Sequence, residues 1–118
     1  MTKQELEQRL IDHSVNVLNS IEMIKINGNY NNLKEQLIRS CTSAALNYGE
    51  AQSAESKRDF IHKIGVIMKE LRETYINLSI MKEITLSDSP VNFENLLRET
   101  NELIAIFHKS LQTARKNP

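Results

Sequence analysis

Residues 60–78 read "FIHKIGVIMKELRETYINL". Within them Phe60, Ile64, Ile67, Met68, Leu71, Tyr75 and Leu78 recur at three- and four-residue spacing. That is the period of a helix with one buried face; a half-buried strand would alternate every second residue. The pattern predicts a helix from near Ser56 to about Lys82. Ser56 is a capping residue, and Asp59 three positions on takes the acidic place of a capping box.

Three further segments carry the same period. The first runs from Lys3 to Ile26, opened by a Thr2–Glu5 capping box, with Leu6, Leu10, Val17, Ile21 and Ile24 on one face. "NGNYNN" (27–32) is expected to close it, because Asn-Gly supplies a left-handed residue. The second runs from Asn32 to Glu50 with the stripe Leu33, Leu37, Cys41, Ala44 and Tyr48. Its small-residue centre, "SCTSAA", is expected to allow the tightest helix crossing. The fourth follows "TLSDSP" (85–90), with Ser89 expected to cap and Pro90 to take the first helical position. It carries Phe93, Leu96, Leu97, Thr100, Ile104, Phe107 and Leu111 on one face and ends in the basic "ARKNP". Four amphipathic helices with short loops predict an all-α fold, an antiparallel up-down-up-down four-helix bundle, as a single domain over residues 1–118.

Composition narrows the function classes. Lys plus Arg and Asp plus Glu balance at 15 each, which removes the basic excess from which nucleic-acid or membrane-surface binding is usually argued. Cys41 is the single cysteine, so no intramolecular disulfide forms and a reducing, cytoplasmic location is expected. The longest apolar run, Ile64 to Met68, is far short of a membrane span, and "MTKQELEQRL" has no signal-peptide core, so no membrane partner is expected.

Chemistry finds little to work with. A di-iron bundle needs inward Glu residues and Glu-x-x-His pairs, and no Glu stands three residues before a His. Asp59–His62 has the spacing, but at about 100° per residue His62 points away from the apolar stripe. His13 lies on the apolar face of the first helix and reads as a hydrogen-bonded core residue. His108 reads as a cation-compatible residue near a helix C-terminus. Cys41, among small residues on a packing face, should be an unactivated thiol. No Gly-rich phosphate loop is present. No catalytic residue, metal or cofactor is expected, and the chain is not expected to be an enzyme.

Two surface features remain. Opposite the core face of the third helix, His62, Val66, Lys69, Glu73, Ile76 and Ile80 follow at spacings of 4, 3, 4, 3 and 4. Val66, Ile76 and Ile80, with Ile38 and Leu46 off the main stripe of the second helix, are the expected subunit interface of a homo-oligomer. Scattered surface apolars are the plainer alternative. The second feature is the cationic set Arg39, Lys57, Arg58, Lys69 and Arg72, the candidate contact for RNA or another nucleic acid. Asp59, Glu70 and Glu73 interleave with these cations, as on a solvated face.

The stretch "LIRSCTSAALNYGEAQSAESKRDFIHKIGVIMKELRETYINL" (37–78) resembles the four-helix-bundle family of 23S rRNA intervening sequence proteins, also called the S23 ribosomal protein family. The matching parts are Arg39-Ser40, Ser43, Asn47 to Ala51, Ser56, Asp59-Phe60, Ile61 to Ile64, Lys69-Glu70 and Glu73-Thr74. The family often carries an aromatic pair after Glu-Thr; here the run is Ile76-Asn77-Leu78, with Tyr75 one position early. The resemblance implies long bundles that close into rings, commonly homopentamers, with no catalytic residues to transfer. A related branch, the accessory variability determinant proteins, forms basic pentameric barrels that engage a reverse transcriptase and nucleic acid. The expected partner is therefore another copy of the chain, with RNA or a nucleic-acid-handling protein as the alternative. The polar corner holding Asn47, Glu50, Ser56 and Asp59 is expected to fix how the second and third helices meet.

Overall fold

The computed structural model describes residues 1–117. It contains α1 (Lys3–Met23), α2 (Asn31–Ala51), α3 (Lys57–Ile84) and α4 (Phe93–Lys116), arranged as an antiparallel up-down-up-down bundle of 52 × 24 × 20 Å. Each helix packs on its sequence neighbours and α1 also meets α4, which puts α1 and α3 at diagonal corners. Among the described residues the only β pairing is an isolated bridge between Ile26 and Thr85.

The start of α1 follows from its cap. Thr2 Oγ1 accepts from Glu5 N–H and the Glu5 carboxylate accepts from Thr2 N–H, both at 3.0 Å, a complete capping box. Its end departs from expectation. The helix stops at Met23 and Ile24 is already extended, so Gly28, at φ +96°, bends the following loop instead of closing the helix. A tertiary contact competes with the extra turn. Leu86 N–H donates to Lys25 O at 2.6 Å and Ser89 Oγ donates to Met23 O at 2.8 Å, clasping the α1–α2 and α3–α4 loops together. The same clasp explains the start of α4. Ser89 does not cap α4 and Pro90 is not its first residue; Asn92 caps it, accepting from Asn95 N–H at 3.1 Å.

Two contiguous apolar clusters fill the interior. One joins Leu10, Ala44, Tyr48, Ile64, Ile67, Met68, Leu71, Leu103, Phe107 and Leu111. The other joins Val17, Ile24, Leu37, Cys41, Leu78, Met81, Phe93 and Leu96 toward the clasped end. Tyr48 and Phe107 meet edge-on with centroids 5.5 Å apart, a favoured aromatic geometry. The small residues at the centre of α2 let neighbours come close. Ser14 of α1 reaches the α2 backbone, donating to Cys41 O at 2.9 Å, and Thr74 of α3 donates to Ser40 Oγ at 2.9 Å. Burial pushes the Cys41 thiol up to about 11, so it is inert, as its position on a packing face requires.

The α1–α4 seam is built differently. His13 is buried and its Nε2 lies 2.8 Å from Thr100 Oγ1. The Thr100 hydroxyl donates to Leu96 O at 2.7 Å, so it must accept from His13, which assigns the proton to Nε2. Nδ1 then holds a lone pair with no partner. Protonating it would bury an unpaired charge, and burial lowers the His13 pKa to about 4. Arg9 spans the same seam, donating to Glu99 at 2.7 and 2.8 Å and to Glu102 at 2.6 Å. Beside these bridges runs an open groove of about 640 Å³ lined by Asn16, Asn19, Asn92, Asn95 and their neighbours.

Candidate functional site

The outward side of α3 holds most of the sequence-based candidates. Ile64, Ile67, Leu71 and Leu78 anchor the opposite side in the core, which fixes the rotation of the helix. Ile76 is left 57% exposed and Ile80 43% exposed, while Val66 is half-buried. Leu46 of α2 is 70% exposed and sits seven residues beyond Arg39, on the same line of its helix. Ile38 does not join this group. It lies three residues before Cys41, whose backbone meets α1, and so faces the α1 side of α2.

Two shallow hollows run along this face of α3 and share Lys69. One, of about 480 Å³, is lined by Gln36, Arg39, Lys69, Arg72, Glu73, Ile76 and Asn77. The other, of about 510 Å³, is lined by Arg58, Ile61, His62, Gly65, Val66, Lys69 and Arg115. The surface is thus a strip of aliphatic and cationic side chains.

The acids interleaved in sequence are largely withdrawn from that strip. Glu70 is 5% exposed, and its carboxylate receives Arg39 Nη1 at 3.0 Å from across the α2–α3 seam. Arg39 Nη2 meets Glu73 at 2.8 Å, so this arginine is committed to two internal ion pairs. Those carboxylates hold the already high Arg39 pKa higher still. Asp59 turns to the helix start, where Glu55 N–H donates to it at 3.4 Å. Arg58, Lys69 and Arg72 have no ion-pair partner among the described residues. Lys57, the first residue of α3, is exposed at the corner and lines neither hollow.

At that corner Ser56 caps α3, accepting from Asp59 N–H at 3.0 Å. Glu50 reaches across to Lys63 at 3.6 Å, a link between the two helices. Asn47 stays within α2, donating to Ser43 O at 2.8 Å and Ser43 Oγ at 3.1 Å. Among the described residues no three His, Cys, Asp or Glu side chains gather closely enough to hold a metal ion. Likewise no described helix is long and apolar enough to cross a membrane.

Sequence reasoning missed two components. Arg115 joins the strip only because α4 returns beside α3, a tertiary fact with no local signal. The exposed apolars Ile11 and Val15 of α1 were recoverable, since with Leu18 they follow at spacings of 4 and 3, like those on α3.

Comparison with known proteins agrees with this architecture. A solved structure from Bacteroides thetaiotaomicron, of unknown function and from the S23 ribosomal protein family, superposes with a TM-score of 0.79. The likeness covers 95% of this chain and 99% of that one at 21% identity. No curated protein matches. The family model for the 23S rRNA-intervening sequence protein matches residues 3–109. With that span matched, the chain belongs to the 23S rRNA-intervening sequence protein family.

Proposed function

We propose that this chain is a non-enzymatic scaffold or adaptor of the cytoplasm that assembles with copies of itself through the outer face of α3. The observation that carries this reading is the pair Ile76 and Ile80, left open on the side of α3 turned away from the core. Burying a fully exposed side chain of this kind is worth roughly 1.5–3 kcal/mol. About half of each remains to be covered, so an interface over both gains a driving force of roughly 1.5–3 kcal/mol from the pair. Val66 and Leu46 extend the same surface. A closed ring of five copies is the assembly that the family resemblance implies. Light scattering tests the reading: the wild type should have a mass several times 13.6 kDa, and Ile76→Glu should lower it. A wild-type monomer at high micromolar concentration would sink it. Ile76 is a better probe than half-buried Val66 because its side chain leaves no hole in the core.

RNA binding is the second reading, favoured by one observation. Arg58, Lys69, Arg72 and Arg115 line a continuous strip from which Glu70 and Asp59 are turned away. Assembly would multiply this cluster around an axis. Binding to structured RNA should then weaken steeply with salt and be lost in Lys69→Ala/Arg72→Ala. Binding that is absent or indifferent to salt counts against it.

A further inference from the structure

The loop between α1 and α2 holds the one Asn-Gly step of the chain, Asn27-Gly28. Both residues are exposed, in a bend beyond Ile24, where α1 has already ended. Gly28 stands at φ +96°, a backbone conformation open to a residue without a Cβ. Among the described residues, neither the Asn27 side-chain amide nor the Gly28 N–H has a hydrogen-bond partner.

The other asparagines are placed differently. Asn29 accepts from Asn31 N–H at 3.3 Å and is followed by Tyr30. Asn92 is held as the cap of α4 and is followed by Phe93. Asn31 and Asn32 open α2 and precede Asn and Leu, whose side chains crowd their own backbone nitrogens. Asn117 precedes a proline, whose nitrogen has no proton to lose. The rest lie deeper in helices, where the next N–H is tied to a carbonyl four residues back.

We infer that Asn27 is a site of spontaneous deamidation in the folded protein. After its proton passes to base, the Gly28 nitrogen attacks the Asn27 side-chain carbonyl carbon. A new C–N bond closes a five-membered succinimide, the bond to the side-chain nitrogen breaks, and that nitrogen leaves as ammonia with a proton from water. Water then adds to either ring carbonyl and breaks one of the two ring C–N bonds. Opening on the side-chain side restores the main chain and leaves aspartate; opening on the main-chain side leaves isoaspartate. Water is the only co-reactant. Glycine permits the attack because no side chain shields its nitrogen, and the exposed bend leaves both groups free to turn toward each other.

Either product adds one negative charge to a chain whose formal net charge is zero. The change falls beside the clasp, where Lys25 O accepts from Leu86 N–H and Ile26 pairs with Thr85. Isoaspartate also lengthens the main chain by one carbon at the point where it leaves that clasp.

Incubating the whole chain at neutral and at mildly alkaline pH, then weighing the tryptic peptide 26–34 by mass spectrometry, tests it. The peptide also holds Asn29, Asn31 and Asn32, so fragmentation is needed to locate the change. The mass should rise by the difference between an amide and a carboxyl group, several-fold faster at Asn27 than at the other three, and faster at the higher pH. An isoaspartate methyltransferase should label the product. Asn27→Gln, a conservative change at an exposed position, should keep the wild-type melting curve and lose both signals, because its longer side chain closes a larger ring far more slowly. A gain shared equally with Asn29, Asn31 or Asn32, or retained in Asn27→Gln, overturns the inference. So does a gain that appears only after unfolding in urea, since the folded loop would then protect the amide. A product without isoaspartate overturns it as well, because direct hydrolysis bypasses Gly28.

Discussion

The α2–α3 seam and the α1–α4 seam join helices of similar length by different means. Between α2 and α3, small side chains close the gap, Ser40 and Thr74 bond to each other, and aliphatic residues fill the rest. Between α1 and α4 an open groove remains, and the helices are held by Arg9 to two glutamates and by His13 to Thr100. The first seam also carries ion pairs, Arg39 with Glu70 and Glu73 and Lys63 with Glu50, but they lie over a closely packed interior. The second leaves a groove open along its length and sets a buried, titratable histidine beside its ion pairs. A bundle of one repeated element therefore has a filled half and a more open half whose stability turns on one buried imidazole.

Four measurements put that difference to the test. Leu37→Ala, at a fully buried α2 position, should lower unfolding free energy by about 2–5 kcal/mol, equally at low and high salt. A loss below 1 kcal/mol in urea titration would mean that the α2 side is not close-packed. The next effect is pH-dependent. His13 titrates near 6.5 when unfolded and near 4 when folded, so the unfolded chain binds the extra proton in between. Stability is therefore highest above pH 6.5 and falls as pH drops toward 4, by about 2 kcal/mol between pH 6.5 and 5. His13→Gln should flatten that slope; an unchanged slope would assign it elsewhere. Glu99, held below the usual carboxylate range by Arg9, adds a loss only at lower pH. Arg9→Ala should cost about 1 kcal/mol at low salt and less at high salt, read from paired melting curves. Ser56→Ala, which touches neither seam, should cost about 1 kcal/mol at any salt and serves as the reference.

Much of this was legible in the chain itself, because helical periodicity is a local property. Four stripes of apolar residues placed four helices, and the Thr2 and Ser56 caps fixed two starts. Errors arose where distant segments compete for the same groups. Ser89-Pro90 resembles a helix start, yet the Ser89 hydroxyl donates to Met23 O at the end of α1. Glu70 looked like one of several surface acids, yet Arg39 arrives from α2 and the carboxylate is buried beneath it. Ile38 was grouped with the α3 stripe by its apolarity alone, and only the position of α1 separates it. Spacing orders residues around one helix; the direction of the neighbouring helix comes from tertiary packing.

The clasp between Leu86 and Lys25, with Ser89 on Met23, ties both loops at one end of the bundle, and an even number of antiparallel helices brings the two chain ends together at the other. A force applied to the termini, whether from an optical trap or a translocating protease, would therefore peel α1 and α4 outward one turn at a time. Peeling loads contacts in succession, so the molecule should yield at low force from its free end. The hydrogen-bonded pair of loops would hold last, with α2 and α3 still folded against each other.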